Sequence, residues 1–333
     1  MIPYSKQTID EDDIQSVVDA LRSSHLTQGS LVHDFEQAIC KLTTANYAVA
    51  VNSGTSALHI ACLALGVGPQ DCVWTSPLSF VASSNCALYC GASVDFIDVE
   101  IKTGNIDLNV LADKLATAKV NNSLPKVVIP VHLCGRPCDL EKLRALSIKY
   151  GFKIIEDACH ALGATYKSTS IGSGLYSDIS VFSFHAVKNI TTAEGGIAVT
   201  SNREIADKMR LISSHGITKS PDSFVNENEG QWYHEQQLLG FNYRMNELSA
   251  ALGLSQLNKF SDFQIKRQRA VDYYKNKLSD VCDWLGNNDP VVISANHLFV
   301  IQVDRKKRKS LFETLRNNNV WVQLHYMNIA SQP

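Results

Sequence analysis

The stretch Ile179 to Val199, ISVFSFHAVKNITTAEGGIAV, decides how the rest of the chain is read. It opens on alternating apolar residues that predict a strand and closes on a Gly-Gly turn feeding a second short apolar run. Between the two sit Ser183, His185, Lys188, Thr191, Thr192 and Glu194, polar groups in a short non-helical segment. Lys188 carries the most information. An amine becomes a useful nucleophile when it is buried or set beside another cation, and a tight loop between buried strands supplies such a setting. Upstream, Lys153 to Asp157 (KIIED) predicts another strand ending in carboxylates, followed by Ala158-Cys159-His160. A lysine that binds an aldehyde covalently and an acid facing a ring nitrogen are the two fixtures that pyridoxal phosphate chemistry requires. Taken singly, a lysine in a loop is more often a solvated charge, and an acid at a strand end is often a helix cap.

Working outward, strands and helices alternate from residue 47 onward. Tyr47 to Val51 predicts a strand, and Asn52 to Ser56 leads into a helix over Ala57 to Leu65. A Gly-containing turn that opens a helix presents unpaired amides and the positive end of the dipole, a setting for phosphate, although many such turns are only turns. Cys72 to Thr75 and Ser93 to Ile97 predict further strands, with a helix around Val81 to Cys90 between them. Asp107 caps a helix over Leu108 to Leu115. Lys126 to Val131 is strand-like with His132 at its end, and Leu140 to Tyr150 is a helix that Gly151 terminates. Crossovers of this length imply an α/β fold with a mainly parallel sheet covered on both faces. Ligands in such sheets bind beyond the carboxyl ends of the strands. Thr55, Phe80, Asp157 and Lys188 all fall in or near such ends.

Three motifs occur in order. They are Asp157-Ala-Cys-His160, then Ser183-Phe-His-Ala-Val-Lys188-Asn continuing to Glu194-Gly-Gly196, then Gly240-Phe-Asn-Tyr-Arg-Met-Asn246. In residues and spacing the chain resembles the DegT/DnrJ/EryC1/StrS family of sugar aminotransferases over essentially its whole length. The resemblance implies the type I aminotransferase fold, a large cofactor-binding domain with an amino-terminal arm over 1–245, and a smaller α+β domain over 246–333. It also implies that the smaller domain continues past His325-Tyr326 and beyond Pro333. Pyridoxal 5'-phosphate is the implied cofactor, carried on Lys188, with Asp157 keeping the pyridine nitrogen protonated and His160 against the ring or its hydroxyl oxygen. Gly54, Thr55, Ser56 and Ser183 are implied phosphate contacts, Phe80 an aromatic on the ring face, and Asn242 a phosphate contact from the second subunit of a homodimer. Without the resemblance, Phe80 reads as core, His160 as a packed histidine and Asn242 as an ordinary helix cap. Lysine, where a few relatives that dehydrate their substrate have histidine, implies transamination.

The segment Ser24-His-Leu-Thr-Gln-Gly29 is similar to that of family members that aminate C4 of a UDP-linked 4-keto-6-deoxy-N-acetylhexosamine for pseudaminic acid biosynthesis. L-Glutamate is the implied donor. Tyr4, His25, Thr27 and His325 are the candidate substrate contacts, each equally readable as packing, surface or, for Thr27, a cap. A dTDP-linked sugar and a non-catalytic regulatory relative are the alternatives. A nicotinamide-dependent oxidoreductase shares the sheet pattern but needs a G-x-G-x-x-G turn after an early strand, which is absent here.

The remaining expectations are coarser. Asp10 to Ser23 predicts a helix behind an acidic start, and Val32 to Leu42 a second. Residues 203–212 are helical, and Ser213 to Gln236 is a long polar loop of the kind that is functional or mobile. Helices follow over Asn246 to Lys259 and Phe263 to Leu278. Then come a strand over His297 to Val303, a helix over Lys309 to Asn317 and a strand over Trp321 to Leu324. The basic run Arg305 to Lys309 reads as a solvated turn. The chain of 333 residues is 45% apolar with a formal net charge of −2, which offers nucleic acid no long-range attraction. Nine cysteines, an odd number, read as free thiols in a reducing compartment and not as a metal site. With no signal core and no run of eighteen apolar residues, the expectation is a cytoplasmic protein with no membrane partner.

Overall fold

Side chains along a strand alternate between the two faces of a sheet, and the buried residues of this chain sort accordingly. In the computed structural model, which describes residues 1–286 and 289–333, Val128, Ile154 and Phe182 pack on one face. Their neighbours Val127, Ile129, Ile155 and Val181 pack on the other. Each fully buried aliphatic or aromatic side chain of this kind contributes about 1.5–3 kcal/mol.

The strands are β1 (Tyr47–Val51), β2 (Cys72–Thr75), β3 (Ser93–Phe96), β4 (Val127–Ile129), β5 (Lys153–Asp157), the short hairpin β6 (Thr165–Tyr166) and β7 (Thr169–Ser170), then β8 (Ile179–Ser183) and β9 (Gly196–Thr200). Seven of them form one sheet in the order β1-β9-β8-β5-β4-β2-β3. β8, β5, β4, β2 and β3 are mutually parallel, while β9 is antiparallel to both β8 and β1. Six strands therefore run one way and end on one rim. The hairpin β6–β7 pairs instead with Val292–Ile293. This is the mainly parallel α/β arrangement expected from the sequence.

Helices α1 (Glu11–Arg22) and α2 (Ser30–Thr43) precede β1. The α1 start is a capping box in which Asp10 and Asp13 each accept the other's amide at 3.2 Å. α3 (Gly54–Ala64) begins three residues earlier than expected because Ser53, extended at φ −164°, accepts the Ser56 amide as its cap. Gly54, Thr55 and Ser56 are thus the first turn of a helix and not a turn ahead of it. α4 (Ala82–Tyr89), α5 (Leu108–Val120), α6 (Leu140–Tyr150) and α7 (Arg203–Ser213) cover the sheet. α8 (Glu247–Asn258) packs on α1 and α2, and α9 (Phe260–Leu278) continues from it. Buried Asp13 binds this layer together, accepting from Ser255 and Gln256 and pairing with Lys259, each at 2.7 Å.

Three expectations in the carboxyl-terminal part are corrected. Only Ile301–Gln302 of the predicted strand 297–303 pairs, with Asp283–Trp284. The amides of Ala295 and His297 are instead spent on the carbonyls of Gly135 and Cys134, both at 2.9 Å. Trp321 to Leu324 is not a strand. The Trp321 amide bonds to Ile2 while the Arg316 guanidinium stacks 4.1 Å from the indole. The basic run is no turn either: Asp304 accepts the Lys306 amide, and α10 (Arg305–Asn317) starts with these five exposed cations. The polar stretch 213–236 holds a two-residue pair, Ile217–Thr218 with Glu235–Gln236, and Glu235 gathers the amides of Val225 and Asn226 and the Tyr233 hydroxyl. All nine cysteines are free thiols. Among the described residues no helix is long and apolar enough to cross a membrane, and no side-chain cluster is suited to a metal.

Candidate active site

The rim where the six co-directional strands end bounds a cavity of about 760 Å³. Asp157 enters it from the end of β5, Ser183 from the end of β8, Gly54 to Ser56 from the start of α3, and Phe80 from the turn after β2. Lys188, His160, Tyr4 and His325 complete the set of predicted residues that meet here. His25, Thr27 and Asn242 are not part of this wall. His25 borders a separate cleft of about 400 Å³ with Gly29 and Glu247, Thr27 bridges to Asn246, and Asn242 is exposed and bridges to Ser214.

The lysine turn is held by its own main chain and by the core beneath it. The Lys188 amide bonds to the His185 carbonyl at 2.9 Å, and Phe184 exchanges bonds with Gly195 and Thr192 at 2.9 Å. The Phe184 ring is wholly buried, edge-on to Phe35 at 5.1 Å. Asn189 reaches across to the Ala295 carbonyl at 3.1 Å. Lys188 is half-buried, and burial of its amine lowers its pKa against the opposing pull of the nearby Asp157 carboxylate. A larger share of neutral amine is the consequence.

Asp157 accepts from the Ser83 hydroxyl at 2.6 Å and the Cys159 amide at 3.2 Å. Ser83 lies in the first turn of α4 and also meets Ser79 at 2.7 Å. The Cys159 thiol is pushed well above its ordinary range by burial and then by Asp157, which leaves it a protonated, unreactive wall. His160 is buried, its Nε2 3.1 Å from the Tyr326 hydroxyl and its ring centroid 4.4 Å from that of His297. Burial, then the charge of Lys188, holds His160 well below its ordinary value, so the ring is neutral. His297 is also depressed, by burial first and then by His160, Lys188, Arg267 and His325. Burial raises Tyr326, so the phenol keeps its proton.

Several features suit a pyridoxal phosphate molecule. Among the described residues His160 Nδ1 is buried without a protein partner, as is His297 Nδ1. Phe80 is 58% exposed, an aromatic face at the mouth with little protein on it. The amides of the first turn of α3 precede its first intrahelical donor, Ala57. A Cβ on Gly54 would come within 2.9 Å of Ser183 Cβ, so glycine is what lets the start of α3 approach the end of β8 this closely. Ser83, His297 and Tyr326 were not singled out in the sequence. Tyr326 adjoins the candidate His325, and Ser79, Ser83 and Ser84 form a serine run just after β2 that signals buried hydroxyls. His297 gave no signal beyond its position in a predicted strand.

Fold and site together define an aminotransferase of the pyridoxal-phosphate-dependent type. The chain belongs to the DegT/DnrJ/EryC1/StrS aminotransferase family, whose sequence profile matches residues 7–333. It is 38% identical to the UDP-4-amino-4,6-dideoxy-N-acetyl-beta-L-altrosamine transaminase of Campylobacter jejuni, over 98% of this chain and 84% of that protein. It is 37% identical to the Bacillus subtilis spore coat polysaccharide biosynthesis protein SpsC, over 100% and 85%. Among solved structures, Helicobacter pylori PseC, an aminotransferase involved in the biosynthesis of pseudoaminic acid, superposes with a TM-score of 0.87 at 33% identity, covering 99% of this chain and 86% of that one. A putative sugar aminotransferase of Streptococcus pneumoniae, Spr1654 in its PMP form, gives 0.89 at 28% over the same shares.

Proposed function

We propose that the protein transfers the amino group of L-glutamate to C4 of a UDP-linked 4-keto-6-deoxy-N-acetylhexosamine, in a route to pseudaminic acid. The observation that carries the transaminase chemistry is the partly desolvated Lys188 amine set in the same cavity as Asp157. The cavity volume lies in the range of about 300–1,000 Å³ usual for small-molecule sites. The choice of substrate is supported by similarity to the C. jejuni transaminase and to PseC; SpsC, at comparable identity, supports the sugar-aminotransferase reading without favouring that substrate.

In this reading Gly54, Thr55, Ser56 and Ser183 hold the cofactor phosphate, Phe80 covers the ring, and Asp157 keeps the ring nitrogen protonated. Pyridoxal phosphate supplies an electron sink for the carbon that gains or loses the amino group. The Lys188 amine binds the cofactor and, once freed, carries the proton to and from that carbon. Its lowered pKa leaves a larger share of the amine neutral and able to accept a proton. His160, neutral and tied to Tyr326, orients the cofactor without adding a second positive charge beside it. Asn242 reaches the phosphate of a second copy in a homodimer.

Two measurements test this. Borohydride reduction of the cofactor-saturated protein followed by peptide mass analysis is expected to place the adduct on Lys188; an adduct elsewhere, or none, removes the transaminase mechanism. Competing the UDP- and dTDP-linked keto sugars with L-glutamate in one assay is expected to yield the UDP-amino sugar. Turnover of the dTDP sugar alone would remove the substrate assignment and leave the chemistry standing.

A further inference from the structure

Arg267, on α9, reaches two separate segments of the cavity wall. Its Nη1 donates to the carbonyls of Asn296 at 3.4 Å and His297 at 3.2 Å, and its Nη2 to the carbonyl of Lys188 at 3.5 Å. All three acceptors are main-chain carbonyls. The planar guanidinium presents its donors in a fixed fork, so a set of acceptors drawn from two segments fixes their relative position as well as their polarity. The same two segments are joined again by the Asn189 amide to the Ala295 carbonyl. Residues 295–297 are themselves anchored to the turn at Cys134 and Gly135, and the His297 ring lies against His160. A chain of contacts therefore runs from the carbonyl of the reactive lysine, through one cation, to the histidine wall opposite it.

We propose that Arg267 is a positioning residue for the reaction: by joining the carbonyls of Lys188 and His297 it holds the lysine turn in register with the His160–His297 wall. The inference rests on the reading that Lys188 carries the cofactor. Arg267 is not part of the cavity lining. Its effect is geometric. A misplacement of about 1 Å at a reacting group costs on the order of 100-fold in rate. The groups that meet the sugar, by contrast, stay where they are.

The test compares wild type, Arg267→Lys and Arg267→Ala. Each is incubated with graded pyridoxal phosphate and reduced with borohydride, and the modified Lys188 peptide is quantified; kcat and KM for the keto sugar are then measured. The lysine variant keeps a cation but has one ammonium where the fork stood. Both variants are expected to trap less cofactor at Lys188 at each subsaturating concentration. Their kcat is expected to fall at least about 10-fold, with KM within about 2-fold, because the lysine turn is misaligned for the reaction while sugar binding is retained. Guanidinium added at tens of millimolar to the alanine variant is expected to restore trapping, while methylammonium or sodium chloride at the same concentration is not. A structural tie alone would lower the melting temperature and leave trapping and the kcat-to-KM split unmoved. That result, or failure of both variants to fold, overturns the proposal. If wild type itself is not modified at Lys188, the cofactor reading fails first and the two outcomes stay distinct.

Discussion

His160 and His297 share a dry stretch of wall with their ring centroids 4.4 Å apart, and both have pKa values driven well below 6.5 by burial and neighbouring cations. In the unfolded chain each takes up a proton as the pH falls through about 6.5, while in the folded protein neither does. The unfolded state binds more protons in that window, so stability is lost as pH drops below about 6.5. Each histidine contributes a slope of up to roughly 1.4 kcal/mol per pH unit. Urea unfolding of the cofactor-free protein is expected to show this decline between neutral and mildly acidic pH, with a shallower slope in His297→Leu. Equal slopes would mean that His297 is not held neutral. Ser83 tests the opposite side of the cavity. Its hydroxyl gives Asp157 a 2.6 Å bond, and hydrogen bonds to a charged group are worth about 1.5–3 kcal/mol. Ser83→Ala is expected to lower kcat by about 10-fold or more at unchanged KM for the keto sugar. An unaltered kcat would show that Asp157 is held without it. Lys188, Asp157 and the α3 glycine stood out in the sequence because each sits at a strand end with an unusual neighbour. Ser83, His297 and Arg267 did not: the serine run after β2 marks buried hydroxyls but not a partner 74 residues away, and nothing local marks a histidine or an arginine whose partners lie 137 and 79 residues away in the chain.

At the scale of elements, the meeting of β9 with the start of α3 sets the width of the cradle. Gly196 opens β9, pairs with Val51 and Ser183, and lies so close to the turn ahead of α3 that an added Cβ would sit 2.3 Å from the Ser53 carbonyl oxygen and 2.5 Å from the Gly54 amide. Those atoms are backbone and cannot swing away. Gly196→Ala is therefore expected to push the turn off the sheet edge, costing on the order of 1–3 kcal/mol of stability and weakening cofactor binding at least about 10-fold. Retained affinity in a cofactor titration would show that the turn yields without cost. The sheet was legible because buried strands of four or five apolar residues separated by helical runs have few other solutions. After residue 280 the helix over Lys309 to Asn317 was legible but the strands were not. There the paired segments are two residues long, and Ala295, His297 and Trp321 spend their amides on distant carbonyls that no local pattern announces. The start of α10 was misread because five cations at a helix N-terminus oppose the dipole, and the cap, Asp304, precedes them.

For the whole molecule the open question is whether one chain makes a complete site. Asn242 lies on the exposed segment between the long polar stretch and α8, outside its own cavity. The adjacent Tyr243 is half-buried against His59, with its carbonyl 2.8 Å from the Asn52 amide. An exposed residue outside its own cavity, one position before a main-chain bond to the phosphate turn, is where a contact to a neighbouring copy can be made. It is not the helix cap that its place in the sequence suggests, since Asn246 caps α8 through the Ser249 amide; as a simple surface asparagine its loss would be silent. A mixing experiment separates the readings. Lys188→Ala and Asn242→Ala dimers are each expected to be weak, the first through the missing amine and the second through a loosened phosphate. If the site is shared, a heterodimer gathers both lesions into one cavity and leaves the other intact. Each heterodimer then recovers up to roughly half the activity of a wild-type dimer, and a statistical mixture roughly a quarter. If Asn242 serves its own chain, every cavity of the heterodimer carries one lesion and no activity returns. With subunit exchange confirmed by differently tagged chains, a flat transamination rate on mixing would reject the shared site.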